Sequence, residues 1–247
     1  MKKLFDDFIK GAMVFFVIIV LWFLLYWLAD SAVVPQPLAV VKNFFRGLGK
    51  NLPPHIFASF LRVFFSSLLA LAIGLPLGIL MGYKEKVHAV AAPFLYFSYP
   101  IPKLALLPIV MLLFGLGEAS KLLMIFLIIF FPIVMDISAG VRNMDQEVFN
   151  ALRAFGIRNR DIRRRVVLPG LWATILNSLK ISTGIALSIL FFAENFGTQK
   201  GLGYFIMNSW QKLDYLNLYT GIFTLAIMGF LLFFALDLAE KQCTKWK

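Results

Sequence analysis

Two long apolar runs, KLLMIFLIIFFPIVMDISAGV (121–141) and LWATILNSLKISTGIALSILFF (171–192), flank the stretch RNMDQEVFNALRAFGIRNRDIRRRVVLPG (142–170). Each run is long enough to cross a bilayer as a helix. The stretch between them carries seven arginines, Arg142, Arg153, Arg158, Arg160, Arg163, Arg164 and Arg165. A polar, guanidinium-rich segment held between two hydrophobic spans must lie at the membrane surface. It is therefore the natural place for a soluble partner to dock.

Composition supports the same class. The 247 residues are 60% hydrophobic and 16% aromatic, with 27 phenylalanines and only 15% charged residues. A soluble domain of this size could not cover that much apolar surface with polar groups. The expected fold is an all-α integral membrane protein with about six transmembrane helices. The net charge of +11 does not point to nucleic acid, because the basic residues are scattered between spans. A single cysteine, Cys243, excludes an intrachain disulfide framework, and His55 and His88, read as linker residues, make no metal-ligand cluster. No Gly-rich phosphate loop ending in Lys-Ser/Thr occurs. Catalytic residues, a metal and a cofactor are therefore not expected on this chain.

The spans are expected at about Gly11–Ala29, Leu61–Tyr83, Val90–Phe114, Lys121–Val141, Leu171–Phe192 and Leu218–Leu238. Gly74, Pro76, Gly78 and Gly82 give the second a small face for close helix contact. The third contains Pro93, Pro100, Pro102 and Pro108, so it must be kinked or unwound where protein or water covers its backbone. Residues 31–60 are expected to include an interfacial helix with Val40, Val41, Phe44 and Phe45 towards lipid. With Arg62 and Lys121 assigned to external loops, fifteen basic residues fall on the side of the termini and seven on the other. That excess predicts N-in/C-in topology. The domain organisation expected is 1–54 for the first span and external linker, 55–240 for the permease domain and 241–247 for a cytoplasmic tail.

Within the arginine segment, Ala151, Phe155, Ile162 and Val166 follow helical spacing and make one apolar face. Gly156 interrupts it. Asn159 can cap a second short helix with Asp161 in its first turn, and Pro169 is expected to end that helix before the next span. The product is a helix-turn-helix knob whose ridge suits a cleft on a soluble protein. A plainer reading is a basic loop that sets topology and touches anionic headgroups.

The order of residues separates these readings. Asn150-Ala151-Leu152, then Gly156, then Val166 and Leu168-Pro169 resembles the "EAA" signature of inner-membrane permease subunits of binding-protein-dependent ABC importers. Asn150 stands where that signature has Glu, and Leu152 where it has a second Ala. Three more segments resemble the nitrate, sulfonate and taurine branch: Pro100-Ile101-Pro102-Lys103-Leu104-Ala105 through Pro108; Phe114-Gly115-Leu116-Gly117-Glu118 with Lys121; and Ala193-Glu194 before Gly201-Leu202-Gly203. The resemblance covers roughly residues 55–240. It implies an inner (plasma) membrane permease paired with a second copy as a homodimer, and an extracytoplasmic solute-binding protein. It also implies ATP-binding cassette ATPase subunits that hold ATP and Mg. The coupling loop would comprise Asn150, Ala151, Leu152, Phe155, Gly156, Arg158, Ile162, Leu168 and Pro169, and substrate would be an oxyanion or organic sulfonate-like solute.

Candidate pathway residues are Ser98, Tyr99, Lys103, Lys180 and Glu194. A lysine near the midplane costs about 3 kcal/mol on insertion scales, so Lys180 either lines a water-filled route or reaches back to headgroups. Lys103, in the proline-broken span, either lines a cavity beside Ser98 and Tyr99 or pairs with Asp136 or Glu194. Glu194 either gates the external mouth or is solvated at a span end. An ion-gradient-driven transporter or channel would need paired broken helices, and only the third span is strongly broken. A membrane-embedded enzyme would need a cluster of titratable groups at one depth, which the scattered charges do not form.

Overall fold

Helix α6 (Glu118–Arg142) is the axis of the molecule, because its Met124, Ile125, Ile129, Ile133, Val134 and Ile137 are all fully buried. A helix that is apolar on several faces and covered on most of them is the core strand of a bundle. This computed structural model describes residues 2–29, 31, 33–144, 147, 152 and 154–243. In chain order the preceding elements are α1 (Lys2–Ala29), α2 (Pro37–Leu48), α3 (Leu52–Tyr83), α4 (Glu85–Ser98), a 3-10 turn (Lys103–Leu106) and α5 (Leu107–Phe114). After α6 come α7 (Asn159–Ile162), a π-helical segment (Arg163–Val167), α8 (Leu168–Ala193), α9 (Leu202–Gln211) and α10 (Tyr215–Cys243). No strand occurs among the described residues.

Four helical stretches are long and apolar enough to cross a membrane: Leu52–Tyr83, Glu118–Arg142, Arg160–Ala193 and Tyr215–Cys243. The pair Glu85–Ser98 and Lys103–Phe114, bent by 82°, makes a fifth if counted as one broken span. The break is where the prolines predict it, with Pro102 before the 3-10 turn and Pro108 in the first turn of α5. Pro93 is carried inside α4. The remaining expected span coincides with α1, whose apolar part is Val17–Ala29.

The tightest pairing is α3 on α6, through the glycines at helical spacing. A Cβ at Gly74 would lie 3.0 Å from Ile133 Cγ2, and one at Gly78 would lie 2.9 Å from Ile137 Cβ. Gly82 meets Val141 still more closely. Without side chains on that stripe the two backbones approach until the branched residues of α6 fill the groove.

Several expectations need correcting. Val40 and Phe44 of α2 are buried rather than lipid-facing, and only Phe45 of that group is exposed. Positions 40 and 44 share a helical face, and that face packs on α10, with Phe44 edge-on to Phe223 and Asn43 bonded to Asn217 and Thr220. His55 and His88 lie on α3 and α4, not in linkers. Arg62 and Lys121 belong to α3 and α6 and are buried. Their amphipathic stems allow deep placement only because partners meet their charged ends. Pro169 does not end a helix: Arg160–Ala193 is continuous. The π-helical turn just before Pro169 widens the backbone, which accommodates a residue without an N–H.

Replacing Gly78 with Ala should force α3 from α6 at a cost of about 1–3 kcal/mol. Gly49→Ala is the control, since its Cβ would meet nothing closer than the Arg46 carbonyl at 3.8 Å. Thermal melting of the purified protein in detergent should show a lowered midpoint for Gly78→Ala alone; equal midpoints would refute the close-contact ridge.

Candidate functional site

The polar residues of α3 mark one functional region. His55, Ser59, Arg62 and Ser66 recur at spacings of four, three and four, so they lie along one face of an otherwise apolar helix. That face meets the N-terminus of α6, the C-terminus of α8 and the loop before α9. Arg62, only 4% exposed, is the hub. Its Nε donates to Glu118 Oε2 at 2.6 Å and its Nη2 to Glu118 Oε1 at 2.5 Å. Its Nη1 donates to Glu194 Oε1 at 2.6 Å and to the Lys200 carbonyl at 2.8 Å, and Nη2 also reaches Thr198 Oγ1 at 3.3 Å. These five bonds match the five N–H groups of a guanidinium, which is what allows so complete a desolvation.

Glu194 is fully buried. It accepts from Ser59 Oγ at 2.7 and 2.9 Å, from Arg62, and from the Gly203 N–H at 2.8 Å. The turn that brings Gly203 there needs Gly201, at φ +138°, where a Cβ would stand 2.7 Å from Arg62 Nη1. Gly201 N–H in turn donates to His55 Nδ1 at 3.1 Å, and Leu202 N–H to Ser59 Oγ at 2.8 Å. Lys121, also fully buried, caps the preceding turn by donating to the carbonyls of Leu116 and Gly117 at 2.7 and 3.0 Å. The segments Phe114–Lys121 and Ala193–Gly203, picked out separately in the sequence, are thus joined by a residue that the sequence reading had placed in a loop. The one-face periodicity of His55, Ser59, Arg62 and Ser66 was the signal available to find it. Glu194 is not solvated.

The other pathway candidates are partnered elsewhere. Lys103 Nζ donates to the carbonyls of Ser98 and Tyr99 at 2.6 and 2.5 Å and lies 4.8 Å from the Phe131 ring centre. It closes the end of α4 and touches neither Asp136 nor Glu194, because the freed carbonyls of the broken helix are nearer. Lys180 bridges α8 to α10 by pairing with Glu240 and with Asp237 at 3.4 Å. That partnership answers the cost of its depth without recourse to headgroups.

The arginine segment forms the second region, at the other end of α8. Gly156, at φ +75°, makes a left-handed turn, and Ile157 N–H returns to the Leu152 carbonyl at 3.2 Å. The Arg158 carbonyl accepts from Asp161 and Ile162 and starts the next turn, so the turn begins one residue before Asn159. The expected apolar ridge is divided. Ile162 is buried in the core with Val167 and Leu171, whereas Phe155 is 84% exposed. A groove of about 550 Å³ lies against Leu152, Ile157 and Ile162, edged by Arg158, Asp161 and Arg165. Leu168 and Pro169 open α8. Asn150 and Ala151 lie outside the described residues.

These features fit a transport component, and sequence comparison agrees. Residues 74–243 match the binding-protein-dependent transport system inner membrane component family, and the chain belongs to it. It is similar to the taurine transport system permease protein TauC of Escherichia coli, 34% identical over 192 residues, spanning 78% of this chain and 70% of that protein. It is also similar to the aliphatic sulfonates transport permease protein SsuC of Bacillus subtilis, 32% identical over 241 residues, 96% and 87% of the two chains. The fold is shared with the inward-facing MetNI methionine ABC transporter, at a TM-score of 0.62 and 19% identity over 77% of this chain and 94% of that one. The chain is therefore an ABC importer permease subunit, a multi-pass inner-membrane protein and not an enzyme.

The geometry ranks the two carboxylates. Removing one partner of a fully buried pair costs about 3–5 kcal/mol, whereas an exposed pair is worth roughly 0–1 kcal/mol. Glu118 is 60% exposed and Glu194 fully buried. Glu194→Gln should therefore lower the melting midpoint much more than Glu118→Gln, and the reverse order would contradict the hub.

Proposed function

We propose that this chain forms, as a homodimer, the translocation pathway of an importer for small oxyanionic solutes of the organic sulfonate class. The permease domain spans 55–240, with six membrane crossings when α1 and the bent α4–α5 pair are each counted once, and both termini in the cytoplasm. Separate ATP-binding cassette ATPase subunits, holding ATP and Mg, grip the arginine segment, and an extracytoplasmic binding protein delivers solute at the opposite face. Lipid surrounds the exposed aromatic and aliphatic faces.

One observation carries the coupling reading: the helix that begins at Arg160 in the arginine segment continues unbroken to Ala193, next to buried Glu194. At 1.5 Å per residue, such a helix is on the order of 50 Å long, more than the hydrocarbon core of a bilayer. A displacement applied at the loop is thus delivered by a stiff element to the Arg62 hub at the far side. Exposed Phe155 supplies the apolar anchor for the partner, and the surrounding arginines supply orientation. The sulfonate class is supported by the similarity to TauC and SsuC, together with cationic groups on an apolar cavity.

Phe155→Asp should abolish retention of the cognate ATPase on the immobilised permease while leaving the permease's unfolding free energy within about 0.5 kcal/mol of wild type, as for an exposed site. Undiminished ATPase retention would overturn the docking role. For the solute, cells carrying the permease with its ATPase and binding protein should accumulate radiolabelled taurine or methanesulfonate, and excess unlabelled sulfonate should compete. Accumulation that sulfonates fail to compete with would refute the class.

A further inference from the structure

A cavity of about 760 Å³ opens beside the Arg62 hub. Glu118 and Arg62 stand at its polar end, with Thr198 and Lys200, and Phe57 and Phe65 are among its apolar walls. The two edges of the guanidinium are unequal. One edge is committed to Glu194 and the Lys200 carbonyl, in the interior. The other edge, Nε with Nη2, faces a carboxylate that is 60% exposed and so has water to turn into.

We propose that the Nε/Nη2 edge of Arg62 is a binding site for a small aliphatic sulfonate or carboxylate, and that Glu118 occupies it as a built-in stand-in. The chemistry is that of a two-oxygen acceptor on a planar fork, which a sulfonate meets as well as a carboxylate does. With Glu118 turned away, Arg62, Lys121 and Lys200 outnumber Glu194, so the vacated edge lies in a positive field. The Thr198 hydroxyl, which donates to the Lys200 carbonyl at 2.9 Å, holds the loop beside this edge, and the phenylalanine walls suit a short alkyl chain. Because Glu118 is the first residue of α6, an incoming anion would also unfasten that helix end from α3 while Glu194 keeps the remainder of the hub closed. This inference rests on the oxyanion reading above and refines where the solute is held.

A competitor within the protein lowers apparent affinity by the fraction of time the site is free. In the intact permease–ATPase complex, reconstituted in phosphatidylcholine nanodiscs, Glu118→Gln should therefore bind methanesulfonate roughly tenfold more tightly than wild type by calorimetry. The gain should vanish when Arg62→Gln and Glu194→Gln are added together, a pair chosen so that neither member of the buried Arg62–Glu194 pair is left charged without the other. Equal affinity of wild type and Glu118→Gln, or a gain that survives loss of Arg62, would overturn the proposal. Anionic lipid also presents an oxyanion on an alkyl tether. Adding phosphatidylglycerol to the discs should leave methanesulfonate affinity unchanged, and competition by it would overturn the solute assignment in favour of a headgroup. Uptake competed by sulfonates without any Glu118→Gln gain would sink this site alone. The gain without such uptake would sink the transport class alone.

Discussion

A guanidinium withdrawn from water must find acceptors for every N–H, and Arg62 finds them on four residues from three different parts of the chain. Glu118 begins α6, Glu194 ends α8, and Thr198 and Lys200 belong to the loop that leads into α9. Taking the charge out of water would cost several kcal/mol alone, and the geometry offsets this only while all these segments are in place. This end of the bundle is therefore cooperative: the hub holds the segments together, and the segments keep the hub dry. Glu194 obeys the same constraint, since Ser59 and the Gly203 amide complete the shell that Arg62 begins.

That constraint gives the long helix α8 its meaning. In the coupling proposed above, a stiff rod with one end in an exposed arginine segment and the other against a cooperative ion cluster would convey displacement with little loss. The π-helical segment Arg163–Val167 lies where the rod leaves the surface segment, and Ile162 and Val167 tie that point into the core. Along its middle the rod is held laterally by the Lys180 pairs to α10. The α3–α6 pair, seamed by Gly74, Gly78 and Gly82, provides a rigid body against which such a rod can move.

The contrast between the two carboxylates of Arg62 suggests a division of labour within one cluster. Glu194 is enclosed and structural, and its loss would remove the only fully buried carboxylate that meets Arg62 among the described residues. Glu118 sits at the rim of a cavity, where solvent competes for it. Exchangeable and permanent contacts on a single guanidinium allow one part of a site to open while the rest holds its shape.

Hydrophobic run length and proline placement were legible in the chain itself, because the bilayer imposes them locally. The membrane class, the break in the α4–α5 region and the close-contact glycines all follow from that. Gly156 and Leu168-Pro169 were equally readable as motif positions. What the chain could not disclose was pairing at long range. Arg62 reads as a loop residue, since a cation 56 residues from one carboxylate and 132 from the other announces neither. Val40 and Phe44 read as lipid-facing for a related reason: apolar side chains are equally at home against acyl chains and against α10. The partners of Lys103 and Lys180 were not legible, because the carbonyls and carboxylates that meet them lie at a helix break or on another helix. Apolar burial is a property of a segment and can be read from it, whereas compensation of a charge is a property of the whole packed structure.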